Sequence, residues 1–357
     1  MKRLPMAALL AAFFIFLALS VSIRQAMLML VGVGMGAVLA GARFGFTAGW
    51  RQLIEQRNPQ GVSGQVLLLA LASLAALPLL GQFSELHAAL GPPSVSLLIG
   101  AFVFGLTMQI ADGCGSGTLY KAGLGVPLNM GILPLFALGS FLGSVHLDAW
   151  LSLGQTAPVS FSASLGTGGA LALTLALLAG VLVTVRLWVG AGQTWFNKRW
   201  LWGAVALAVL ATLNLLLAGQ PWGVVYGFGL WAAKGAVALG SFDPTSNGFW
   251  SQAGNTQRLT QSVLMDVTTI TNIGILGGAL WVSAKSPADS KPLTTQQWVI
   301  GLVAGFVMGY SSRLAFGCNI GAMLSGISTG SLHGWIWVPM AFAGTLIGVR
   351  VRRHYQF

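Results

Sequence analysis

The only two cysteines of the chain, Cys114 and Cys318, stand in matching surroundings: Gly113-Cys114-Gly115-Ser116-Gly117 and Gly317-Cys318-Asn319-Ile320-Gly321. At an offset of 204 residues, Gly105/Gly309, Ala111/Ala315, Gly113/Gly317, Cys114/Cys318 and Gly117/Gly321 coincide. A thiol offers a weak S–H donor and a soft, polarizable sulfur. Phosphate is a poor match, because its oxygens seek N–H donors. An anion with an exposed sulfur atom is a better one, since an S–H can hydrogen-bond that sulfur transiently and without covalent chemistry. A lone buried cysteine is commonly just a small apolar side chain. Two equivalent ones inside glycine-rich breaks ask for more.

Each motif ends an apolar run that reads as a helix, Val95 to Ala111 in one copy and Trp298 to Ala315 in the other. The segments that follow, Gly115 to Gly125 and Ala322 to Ser331, are too short to cross a bilayer and read as half-helices. Irregular backbone survives at membrane depth only where it is buried in protein or lines a polar path. A helix N-terminus there directs free N–H groups and a partial positive charge at an anion. Gly113, Gly115, Ser116, Gly117, Gly317, Asn319 and Gly321 are therefore candidate binding residues. Arg43, Lys121 and Lys234, with Arg313 beside them, are candidates for balancing the anion's charge. Asp112 would repel an anion and should pair with one of these cations.

The composition places the motifs in a membrane. The chain is 55% hydrophobic and 7% charged over 357 residues, against about 25% charged in a soluble domain. Mean hydropathy is +0.79. At roughly 20 residues per span there is room for about nine to eleven crossings. The fold class is thus an all-α polytopic membrane protein. The formal charge of +11 comes from scattered Lys and Arg that flank apolar runs, which is a topology signal. No basic stripe or reading module supports nucleic-acid binding. His87, His146, His333 and His354 show no metal-ligand spacing. No nucleotide fingerprint, cofactor site or catalytic constellation is evident, so an enzyme is not expected. A covalent use of Cys114, as in a membrane sulfurtransferase or redox protein, lacks a neighbouring activating His or a CxxC pair.

Taken in order, Met1 to Ser22 reads as a first helix, although Ser20-Val21-Ser22 resembles a cleavage site. Spans follow at Met27 to Ala42, Val62 to Leu80 and Leu128 to Val145, with Trp50 to Arg57 as an interfacial piece. Asp148 to Gly166 lacks Lys and Arg and is assigned to the periplasm. Further spans are expected at Gly168 to Trp188, Trp200 to Ala218, Trp222 to Gly240, Val263 to Ser283 and Trp335 to Val349. Asp266, near the start of one of them, reads as a capping residue. Lys285 and Lys291, and Arg350, Arg352 and Arg353, place both termini in the cytoplasm. Gly36 and Arg43 recur as Gly227 and Lys234. The chain is accordingly expected to fold as two half-repeats, residues 1–190 and 191–357, each with one cysteine motif. This is the pattern of transporters built from repeats, with binding at broken helices.

Ala-Asp-Gly-Cys-Gly-Ser-Gly-Thr-Leu-Tyr-Lys-Ala-Gly (111–123), Ala-Phe-Gly-Cys-Asn-Ile-Gly (315–321) and Arg-Phe-Gly-Phe-Thr-Ala-Gly (43–49) resemble the YeeE/YedE family of bacterial inner-membrane proteins. Its best-understood members take up thiosulfate. The resemblance covers nearly the whole chain. It implies a pseudo-symmetric helical protein, short helices dipping in from both sides, and cysteines that pass the ion along by thiol hydrogen bonds. Cys114 and Cys318 match two of the family's cysteines. The third belongs in an Arg-Phe-Cys motif, and here that position is Gly45. A related sulfur or selenium compound is the alternative cargo that this departure raises. A small cytoplasmic sulfur-carrier protein is the partner the family implies.

Overall fold

The computed structural model of the chain describes residues 3–285 and 292–357. Lys291, used above for orientation, lies outside the described residues. The chain opens with α1 (Arg3–Ser20), α2 (Ile23–Ala42), α3 (Phe46–Gln56), α4 (Gln60–Gln82), α5 (Val95–Ile110), α6 (Gly115–Gly123), α7 (Pro127–Val145) and the short α8 (Leu147–Leu151). A long α9 (Phe161–Val189) follows, kinked at Gly166. Then come α10 (Lys198–Ala218), α11 (Val225–Ala238), α12 (Ala253–Thr260), α13 (Val267–Ser283), α14 (Thr295–Leu314), a π-helical turn (Asn319–Leu324), α15 (Ser325–Ser328) and α16 (Leu332–His354). Among the described residues, nine helical stretches are long and apolar enough to cross a membrane. The protein is an all-α, multi-pass membrane protein.

Small polar side chains set the helix starts, as orphan N–H groups demand. Ser22, Ser94, Ser160 and Asn197 cap α2, α5, α9 and α10. Thr294 and Gln297 form a capping box at α14. Asp266 caps α13 by accepting from Thr269 N at 2.7 Å, in agreement with its sequence reading.

Two expectations need correction. The span read from Trp222 to Gly240 is the 14-residue α11, which starts only at Val225. Ser325 Oγ donates to Trp222 O at 2.6 Å and Asn272 Nδ2 to Val224 O at 2.9 Å. Those carbonyls are thereby taken out of helical use. The half-helix read from Ala322 to Ser331 starts earlier, at Asn319, and its first turn is π rather than α. Ser325 N reaches back five residues to Ile320 O.

The repeated glycines explain the packing around the breaks. The α5–α16 and α7–α14 pairs are among the most extensive helix contacts in the fold. A methyl at Gly105 would collide with the Ala341 carbonyl on α16, and one at Gly309 with the Phe136 carbonyl on α7. Gly139 and Gly143 on α7, and Gly344 and Gly348 on α16, face the same pairs with equally close backbone. Close approach through small residues is how helices associate where water supplies no drive. Gly309→Leu should therefore cost about 3 kcal/mol by overpacking. Thermal unfolding in detergent should show it, whereas Gly41→Ala, where a methyl would meet nothing within 4 Å, should melt like the parent.

Two faces are defined by contacts. Arg352 and Arg353 of α16 reach Asp112 and Glu55, and Gln297 at the start of α14 donates to Tyr355 O at 3.0 Å. The first break, the end of α3 and the C-terminus thus share one face. At the other face, Ala89 N donates to Thr329 Oγ1 at 3.1 Å. Here Gly91, in the α4–α5 connection, covers Phe316 and His333.

Candidate conduction site between two helix breaks

The two breaks are built alike. Gly113 N donates to Met108 O at 3.1 Å and Gly317 N to Ser312 O at 2.8 Å, closing the ends of α5 and α14 across the same number of residues. The residue before each glycine is left-handed: Asp112 at φ 54° and Phe316 at φ 57°. For a bulky phenylalanine that is an outlier, of a kind that persists where the surrounding structure over-determines it and clusters at functional sites. Thr118 N then donates to Cys114 O at 2.8 Å and Ala322 N to Cys318 O at 2.9 Å, starting the short helices. Both cysteines occupy the N-cap in extended backbone.

This geometry aims backbone N–H groups at sulfur. Ser116 and Gly117 follow Cys114 at the start of α6, and Ile320 and Gly321 lie in the first turn after Cys318. Ile320 N donates to Cys318 Sγ at 3.4 Å, and Cys114 Sγ and Ser116 Oγ are 3.4 Å apart. Both thiols are free and buried, at 1% and 0% exposure, so neither faces lipid. They also face each other, close enough to interact side chain to side chain. Gly115 permits this: a methyl there would stand 3.3 Å from Cys318 Sγ and 3.4 Å from the Phe136 ring.

From Cys114 a narrow cavity of about 10 Å³ leads along Gly113, Gly117 and Lys121 to Gly45 and Thr47 at the start of α3. It has room for roughly one water, so the walls must part for a larger guest. Buried polar atoms without partners occur here: Thr47 Oγ1 in the cavity lining, Thr118 Oγ1 next to Gly113, and both carboxamide atoms of Asn319, the residue after Cys318. A buried unsatisfied polar group costs roughly 1–3 kcal/mol. Such groups at one place suit a polar guest.

The candidate cations separate. Lys121 is in the cavity wall and donates to the Asp112 carboxylate at 2.6 Å. Asp112 thus has the cationic partner the sequence asked for, with Arg51 at 2.9 Å and Arg352 at 3.3 Å as two more. Arg43 is exposed at the end of α2. Lys234 caps the end of α12 by donating to Leu259 O at 2.6 Å and to Gln261 O. Arg313 lies over Tyr226 and Phe249 at 5.7 and 4.7 Å. Gly45, the position of the absent third cysteine, lines the same cavity as Cys114. Sequence reading missed Thr47, Thr118, Arg51 and Arg352 as site residues. The only available signal was that Arg51 and Arg352 flank apolar runs, which orientation alone explains.

Comparison with known proteins places the chain in a family. The chain is similar to the thiosulfate transporter TsuA of Escherichia coli (strain K12), with 24% identity over 89% of this chain and 93% of that protein. It is 29% identical to the thiosulfate transporter TsuA of Spirochaeta thermophila over 84% of this chain and 91% of the relative. A probable transporter, YedE of Salmonella typhimurium, is 27% identical over 46% of this chain and 40% of its own length. Residues 41–347 match the family described as sulphur transport, and the chain belongs to that family, the YeeE/YedE family of its motifs.

Proposed function

We propose that the protein carries thiosulfate, or a closely related sulfur-containing anion, inward across a bacterial inner membrane. The observation that supports this most is the pair of mutually facing, buried thiols, each at the N-terminus of a truncated helix. The terminal sulfur of the anion accepts an S–H hydrogen bond from Cys318 and then from Cys114. The N–H groups of Ser116, Gly117, Ile320 and Gly321 and the Asn319 carboxamide take up its oxygens. Gly113, Gly115 and Gly317 let the backbone close around it, and Lys121 offsets its charge. Arg43 and Lys234 contribute only to the wider positive field. The proposal includes two half-repeats, 1–190 and 191–357, and cytoplasmic termini, as the charge bias indicates. On that orientation the anion leaves past Cys114 toward the C-terminal face, where a small sulfur-carrier protein would receive it.

Growth of a bacterium that depends on thiosulfate as its sulfur source tests the reading. The wild type should restore growth and Cys114→Ala should not; equal growth removes the thiol relay. Gly45→Cys should raise uptake severalfold. A methyl there meets Ala48 Cβ at 3.3 Å and Tyr120 Oη at 3.8 Å, so a thiol fits the cavity wall with a small adjustment. Initial rates of radiolabelled thiosulfate uptake check this.

A further inference from the structure

Asp112 holds the most elaborate ion pairing among the described residues, and the break itself does not need it. Arg51 Nη1 lies 2.9 Å and Arg352 Nη1 3.3 Å from Oδ1, and Lys121 Nζ 2.6 Å from Oδ2. Three cations from α3, α6 and α16 thus face one carboxylate. At the equivalent place in the second repeat, Phe316 makes the same left-handed turn with no charge at all. The turn folds without an ion pair, so the cluster has another use.

The cluster's location suggests that use. Side-chain exposure is 27% for Asp112, 19% for Arg51, 21% for Lys121 and 15% for Arg352, reachable from the C-terminal face yet partly shielded. Asp112 and Lys121 also line the cavity that leads to Cys114. In that wall Thr47 is 5% exposed and its Oγ1 has no partner, a second sign of a polar guest. The pairing of Arg352 is divided, because its Nη1 also donates to Gln109 O at 2.9 Å.

We propose that Arg51, Lys121 and Arg352 form a second anion site at the mouth of the route, with Asp112 as a built-in counter-anion that a divalent oxyanion displaces in passing. This rests on the conduction reading above. Three cations against one carboxylate leave an excess positive charge, which a dianion compensates better than a monovalent carboxylate does. The return of Asp112 then competes the dianion off and speeds its release. The site reads charge, not sulfur, so it takes thiosulfate and sulfate alike; discrimination belongs to the thiols.

Titration calorimetry on the full chain in detergent, with sodium thiosulfate and sodium sulfate as probes, tests it. Asp112→Asn frees the three cations and should bind both anions roughly tenfold more tightly, within the usual range of coupling between competing ligands. Preloaded proteoliposomes of this variant should release thiosulfate correspondingly more slowly. Unchanged or weaker sulfate binding overturns the proposal. Should Asp112→Asn fail to fold, Lys121→Gln and Arg352→Gln serve: each should weaken sulfate about fivefold, and no change overturns the proposal. The two readings fail separately. A wild type that takes up thiosulfate and sulfate at equal rates removes the relay and leaves the cation site. Absence of tightened sulfate in Asp112→Asn removes the cation site and leaves the relay.

Discussion

Gly115→Val should stop thiosulfate uptake, by about 100-fold or more, in a protein that still folds. Displacements of about 1 Å at a site of this kind can already cost about that factor. The first carbon of any side chain here stands 3.3 Å from Cys318 Sγ and 3.4 Å from the Phe136 ring. The two further methyls of valine fill the space through which the thiols face each other. Gly115 opens α6 and is not among the glycines with positive φ, so an L-residue fits its backbone. The damage is therefore to passage and not to the turn. Gly117→Ala is the control: its methyl meets Cys114 Sγ at 3.6 Å, ordinary contact, and should cost only a few-fold. Uptake into proteoliposomes beside a melting curve for each variant checks both statements. Full transport by Gly115→Val would show that the anion does not pass between the sulfurs.

Asn319→Leu should move stability and transport in opposite directions. The Asn319 carboxamide is fully buried, and neither its oxygen nor its nitrogen has a hydrogen-bond partner. Burying unsatisfied polar atoms costs about 1–3 kcal/mol, and an apolar group of similar shape removes that cost. Leucine at this position should therefore raise the melting temperature by a few degrees. The same substitution removes the one side-chain amide beside Cys318 and should lower uptake by about 100-fold. Activity that requires a destabilised site is a familiar trade-off. If Asn319 had a purely structural role, Asn319→Leu would lower both quantities together.

The breaks were legible in the sequence because the signal there is local. Gly-Cys-x-x-Gly occurs twice at one spacing, and each copy follows an apolar run. Both short helices and both buried thiols follow from that. The pairing of Gly105 with Gly309 was also visible, although its use became plain only when α16 and α7 were seen seated on those positions. What stayed hidden depends on contacts between distant parts of the chain. Arg51 is 61 residues from Asp112, and Arg352 comes from the last helix. In the sequence both are cations at the ends of apolar runs, like any topology signal. Thr47 is an unremarkable hydroxyl until α3 folds it against the cavity. Lys234 resembled Arg43 by spacing, yet the end of α12 claims its ammonium. The late start of α11 follows from side chains of α13 and α15 bonding the carbonyls of residues 222 and 224, which hydropathy does not encode.

The thiol pathway is tested most directly by competing two dianions that differ in one atom. Proteoliposomes holding the wild type, Cys114→Ala or Cys318→Ala would be offered radiolabelled thiosulfate and sulfate, and initial uptake of each measured. The wild type should favour thiosulfate strongly, since only it presents a sulfur to an S–H donor, and either alanine variant should lose most of that preference. A preference that survives in both variants would contradict passage by thiol hydrogen bonds.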